Sequence, residues 1–122
     1  MLVDTSVWID HFRRPNTLLS KRLEAGEVWT HPFVIGELAC GNLAHRREIL
    51  RSLAELHSAP VVDHHELLQL IEDRRLNGLG LGWIDMHLLA SAYVGELPLW
   101  ALDKRLVAAA RGLGLKPPLS LN

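Results

Sequence analysis

Four carboxylates, Asp4, Glu37, Asp85 and Asp103, stand out by the residues around them. Asp4 ends the short apolar run MLVD and Asp103 follows the run LPLWAL, so each is expected at the carboxyl end of a strand. Each also precedes a helical pattern, and N-capping is the plainer reading of either one alone. Glu37 and Asp85 instead lie within apolar helical stretches, VIGELACG and GWIDMHLLASA. Glu37 shares its face with Phe33, Val34, Cys40 and Gly41, and Asp85 shares its face with Leu88, Leu89 and Ala92. No Lys or Arg lies within a turn of either acid. A carboxylate turned toward an interior is costly unless a distant Arg pairs with it or it ligates a metal. Four acids on one rim would repel one another unless a divalent cation neutralised them. Oxygen donors without sulfur or clustered imidazole favour Mg²⁺ or Mn²⁺ over zinc. Such a cation binds a phosphate oxygen, acidifies a water and stabilises pentacovalent charge, which is the chemistry of metal-dependent phosphodiester hydrolysis.

The elements that must position these acids alternate along the chain. Strands are expected at 1–4, 27–30, 59–62 (APVV) and 97–102. Helices are expected from Thr5 to Arg13 ahead of Pro15, over 17–25 up to Gly26, and over 32–42 with Pro32 in the first turn. An amphipathic helix follows over 45–57, with Ile49, Leu50, Leu53 and Leu56 on one stripe. Asp63 is expected to cap the helix over 64–76, with Glu66 three residues on. The segment 77–82 reads as a loop, followed by helices over 82–94 and 103–114. The tail 115–122 suits an edge strand, because Pro117 and Pro118 cannot donate to a ladder. Strand–helix alternation predicts an α/β fold with a parallel sheet covered on both sides, its chemistry at the carboxyl ends of the strands.

Length bounds the chain to one domain over residues 1–122. No apolar stretch reaches the ~20 residues of a membrane span, and MLVDTSVWID has no basic region of a secretory signal, so a soluble cytoplasmic protein is expected. Cys40 has no intrachain disulfide partner and reads as a small buried filler on a helix. The net charge of −1 conceals a basic remainder: with four acids committed to a metal, ten would face thirteen Lys and Arg. The bases come in pairs, Arg13-Arg14, Lys21-Arg22, Arg46-Arg47, Arg74-Arg75 and Lys104-Arg105. Each pair reads as a solvated face, with phosphate contact as the sharper alternative. Adjacent His64 and His65 point to different faces, and His87 turns away from Asp85, so no histidine nuclease or zinc site is indicated; His31 is read as a rim residue. Gly78, Gly80 and Gly82 lack phosphate-loop spacing. Trp8, Trp29, Trp83 and Trp100 read as core or dimer-interface residues. A receiver-type signalling domain would need a phosphorylatable Asp ending the third strand, where Val61 and Val62 stand.

The segments LVDTSVWID, VIGELACG, GWIDMHLLASA and ALDKRL occur in an order and spacing that resembles the PIN domain, and within it the VapC toxins of toxin–antitoxin pairs. That resemblance implies a three-layer α/β/α sandwich with a short central parallel sheet. It implies a Mg²⁺-dependent endoribonuclease, with Mn²⁺ as an alternative, in which Asp4, Glu37, Asp85 and Asp103 form the catalytic and metal-binding set. Asp103 would act through water or a second metal, and Ser6 would support the first Asp by hydrogen bonding. Cleavage of structured RNA (transfer or ribosomal), a homodimer and a VapB-like antitoxin are further implications. The family often has Thr or Ser two residues before the last Asp; Ala101 stands there instead, which removes a hydrogen bond. Ala101 also supports the alternative of a catalytically idle PIN-like module that only binds RNA or a protein.

Overall fold

In the computed structural model, which describes residues 1–118, four two-residue strands form one parallel sheet between seven helices. The chain runs β1 (Leu2–Val3), α1 (Thr5–Arg13), α2 (Thr17–Glu24), β2 (Trp29–Thr30), α3 (Pro32–Cys40), α4 (Arg46–Ala54), β3 (His57–Ser58), α5 (His64–Asp73), α6 (Trp83–Gly95), β4 (Leu99–Trp100) and α7 (Lys104–Gly112). Strand order is β3-β2-β1-β4. Leu2 pairs with Trp29 on one side and Leu99 on the other, and Val3 pairs with Trp100. The order reverses at β1, so the crevice beyond β1 and β4 is the switch point where an α/β sheet of the expected three-layer kind places its ligands.

Leu2 and Val3 are fully buried, as a central strand covered on both faces requires. Helix α6 contributes Leu88, Leu89, Ala90 and Ala92 to the same core; burying each leucine contributes roughly 1.5–3 kcal/mol. Gly26 ends the α2 segment with φ +72°, and Asp63 caps α5 by accepting the Glu66 N–H at 2.8 Å, both as the local signals predict.

The third strand is a correction. It lies at His57–Ser58 and not over 59–62. Ala59 N–H still donates to Thr30 O at 2.8 Å, but Pro60 has no N–H to carry the ladder further. Strand β3 is at the sheet edge, where exposed His57 and Ser58 side chains are tolerated, while apolar Ala59 and Val62 are buried beyond it. Residues 115–118 form no strand, and the rest of the predicted tail strand lies outside the described residues. Cys40 is exposed, not a core filler. The core side of α3 is Val34 and Leu38, and Cys40 is two residues, over half a turn, past Leu38. No helix among the described residues is long and apolar enough to cross a membrane.

Candidate active site

Asp4 stands where β1 becomes α1. Its backbone N–H donates to Trp100 O at 2.9 Å, which ties it to the end of β4. Its Oδ2 accepts from Ser6 Oγ at 2.6 Å and more weakly from the Ser6 N–H at 3.4 Å. Asp4 thus caps α1, yet it is also only 8 % exposed. No Lys or Arg pairs with it among the described residues. The cap reading and the functional reading hold together at this residue.

Glu37 comes to Asp4 through Thr5, whose hydroxyl donates to Glu37 Oε1 at 2.7 Å. Sequence reasoning singled out Ser6 and passed over Thr5; a hydroxyl directly after the first Asp was the available signal. Glu37 is exposed, which corrects the interior setting expected for it. It lies beside the Val34–Leu38 side of α3, and the apolar residues near it in sequence do not enclose it.

Asp85 is partly buried and lies at the third position of α6, because the helix starts at Trp83. Its Oδ2 accepts the Gly82 N–H at 3.0 Å, so the late start of the helix gives it capping work as well. Asp103 caps α7, accepting from the Arg105 N–H at 2.8 Å, Nε at 3.3 Å and Nη2 at 3.0 Å. Ala101 offers no hydroxyl, and Arg105 supplies the donors on Asp103 instead. These hydrogen bonds hold the Asp103 carboxyl below the usual carboxylate range. The Arg105 guanidinium is raised in turn, chiefly by Asp103 and in smaller measure by Asp85. A side chain 20 residues further along the sequence therefore reaches the field of Asp85, a pairing that no local window could reveal. Gly80 makes room for it: a Cβ there would come 2.7 Å from Arg105 Nη1.

The structure thus joins the turn after Asp4 to Glu37 through Thr5, and it pairs Asp103 with Arg105. Among the described residues, no three His, Cys, Asp or Glu side chains converge closely enough to share one metal ion. The donor chemistry nevertheless fits a hard divalent cation. All four candidates offer carboxylate oxygen, and Asp4 is a nearly buried carboxylate with one oxygen on Ser6 and no cationic partner among the described residues.

A family model described as PIN domain matches residues 1–112. This chain belongs to the PIN-domain family. Ribonuclease VapC32 of Mycobacterium tuberculosis, from strain CDC 1551 / Oshkosh and from strain ATCC 25618 / H37Rv, is 48% identical over 116 residues, 94% of each chain. That likeness places the chain with the VapC ribonucleases within the family. No solved structure gives a significant match.

Among the histidines and tryptophans singled out in this PIN domain's sequence, His31, His87, Trp8 and Trp100 are buried. His31 is fully buried, not on the rim. It caps α3 by accepting the Phe33 N–H on Nδ1 at 3.0 Å, so its proton belongs on Nε2, which is buried without a hydrogen-bond partner among the described residues. Burial, reinforced by His87, lowers its pKa to about 4. His87 is also buried, with its ring against Phe33 at 4.6 Å and Trp83 at 4.9 Å. Trp8 and Trp100 are core residues, whereas Trp83 is 40 % exposed at the start of α6.

Proposed function

We propose that this PIN domain is a Mg²⁺-dependent endoribonuclease, with Mn²⁺ as a substitute, and the toxin of a toxin–antitoxin pair. The observation that carries the reading is Asp4: a nearly buried, cation-free carboxylate at the β1–β4 switch point, oriented by Ser6. The 48% identity to a protein named a ribonuclease supports RNA as the substrate class. Asp4, Glu37, Asp85 and Asp103 form the catalytic and metal-binding set, with Ser6 as the supporting hydroxyl. Structured RNA (transfer or ribosomal), a VapB-like antitoxin, a homodimer and a cytoplasmic setting complete the reading.

A divalent cation bound among these oxygens would supply positive charge to the phosphate and acidify a water. The chain's own contribution is positioning and proton transfer. Ser6 holds one oxygen of Asp4, leaving the other to orient the attacking water and take its proton. Asp85 can take the same part with the oxygen that Gly82 does not hold. Thr5 fixes the rotamer of Glu37. The water's oxygen bonds to phosphorus in line with the departing 3′ oxygen, and the P–O3′ bond breaks. The 3′ oxygen then picks up a proton from solvent, so products carry 5′-phosphate and 3′-hydroxyl ends and the 2′-hydroxyl is not the nucleophile.

A second reading, an idle binding module, is favoured by one observation: both Asp103 oxygens are engaged by Arg105. Cleavage of total bacterial RNA by the wild type and by Asp85→Asn, with Mg²⁺ or with EDTA, separates the two. Discrete fragments with 5′-phosphates, lost on chelation and in the variant, support the nuclease. A folded, antitoxin-free wild type that cleaves nothing with either Mg²⁺ or Mn²⁺ leaves the idle module, and 2′,3′-cyclic phosphate ends would exclude the water-attack scheme.

A further inference from the structure

Three of the paired arginines noted in the sequence meet in space. Arg74, Arg75 and Arg105 line one groove of about 380 Å³ between the end of α5 and the outer side of α7. Its lining is otherwise apolar, with Leu76, Leu79 and Leu113 beside the small Ala108, Ala109 and Gly112, and it carries no carboxylate among the described residues. Arg105 stands at the junction of this groove with the acids, since the same guanidinium forks onto Asp103.

Arg75 is held in a constrained position. Helix α5 ends in a six-residue turn in which the Arg75 N–H donates to Glu72 O at 3.3 Å and the Leu76 N–H to Ile71 O at 3.0 Å. That turn needs a left-handed residue, and Arg75 supplies it with φ +53°. Glycine is the residue such a position prefers, and any side chain there is held at a conformational cost. Glu96 closes α6 in the same kind of turn, so what sets Arg75 apart is its exposed guanidinium, which makes no hydrogen bond or ion pair among the described residues. Its neighbour Arg74 is pre-oriented, donating to Tyr93 Oη at 3.1 Å with its guanidinium 5.3 Å from the ring centroid.

We propose that this groove holds the sugar–phosphate backbone of the RNA strand beside the acidic site, with Arg74 and Arg75 as its outer contacts and Arg105 as the contact nearest the acids. The proposal rests on the nuclease reading above. The Arg75 fork, unpaired among the described residues, matches phosphate oxygens in pairs, and Ala108, Ala109 and Gly112 leave room for a ribose beside it. Arg74 and Arg75 add positive charge that offsets the repulsion the carboxylates exert on a phosphodiester, the Arg105 charge being already matched by Asp103.

The test uses Asp4→Asn protein, to prevent cleavage, and fluorescein-labelled bacterial transfer RNA, with binding followed by anisotropy from about 50 to about 200 mM salt. Arg75→Gly is the decisive variant, because glycine relieves the left-handed backbone. It should raise the melting temperature, weaken RNA binding by about three- to tenfold, and reduce the salt slope by about one. Arg75→Gln should weaken binding comparably without the gain in stability. In the cleaving protein, Arg75→Gly should raise KM and leave kcat unchanged. An Arg75→Gly protein that is more stable and binds RNA as before overturns the proposal and points to an acidic protein segment as the occupant. Equal loss on Arg51→Gln, an exposed arginine of α4, overturns it in favour of diffuse charge attraction. If the wild type neither binds nor cleaves RNA, the nuclease reading fails and the proposal with it; if it does both while Arg75 is inert, only the groove fails.

Discussion

The Thr5 hydroxyl donates to Glu37 Oε1 across 2.7 Å, joining the turn after β1 to helix α3, 32 residues away. Asp4 and Glu37 come from different elements, and this contact ties the residue next to Asp4 to Glu37. Thr5 is buried while Glu37 is exposed, so the bond anchors a solvent-facing carboxylate to the packed turn.

Removing that hydroxyl should therefore cost catalysis more than stability. Thr5→Val keeps the shape and loses the donor. A charge-assisted hydrogen bond of about 1.5 kcal/mol corresponds to about tenfold in kcat/KM, whereas Thr5→Ser should retain most of the activity. Kinetics of both variants on one RNA substrate checks this; full activity in Thr5→Val would remove any positioning role.

Asp85→Asn should separate site chemistry from folding. The amide oxygen still accepts from Gly82, so the cap survives and stability should change by no more than about 1 kcal/mol. Cleavage should fall at least about 100-fold, since a neutral amide neither takes a proton nor binds a cation as a carboxylate does. Mn²⁺ should raise the melting temperature of the wild type and raise that of Asp4→Asn much less. Equal Mn²⁺ stabilisation of both would place the cation elsewhere.

Acid should destabilise the fold through His31. Its folded-state pKa of about 4 lies below the ordinary value of 6.5, so the unfolded chain binds a proton more readily than the folded one. Its contribution to stability is fully present above pH 6.5 and is lost as pH falls toward 4, by at most about 3 kcal/mol. His31→Asn retains a capping oxygen for the Phe33 N–H and removes the titration. Urea unfolding at several pH values between 7 and 4 should show a shallower decline in this variant, and a parallel decline would assign the effect to other groups.

Cys40 should react with a thiol reagent in the native protein at a rate close to that of the unfolded chain, because it is exposed at the end of α3. Cys40→Ser should change stability by no more than about 0.5 kcal/mol. Protection from the reagent until unfolding would mean that a second copy or a partner covers this face.

The helices and their ends were legible in the sequence because their signals are local. Asp63 with Glu66 reads as a cap within one turn, and the accepting bond is there. Asp4 and Asp103 read as residues at strand ends, and the β1–β4 pairing puts both on one rim. The order of four weak motifs carried the family, since each motif marks one element and their order is the order of the fold.

What the tertiary structure alone decided depends on segments far apart in the chain. Strand β3 formed at His57–Ser58 and not at the more apolar APVV, because edge pairing with Trp29 and Thr30 selects the register and Pro60 ends it. Glu37 proved exposed and Asp85 proved a capping residue, because the start of each helix and the direction of its core side are set by what packs against it. The Thr5–Glu37 bond, the reach of Arg105 from Asp103 to Asp85, and the meeting of Arg74, Arg75 and Arg105 in one groove follow from the same cause. Residue type and local periodicity determine which groups a helix or turn can present, whereas which of them meet is decided by how the elements pack around the buried sheet.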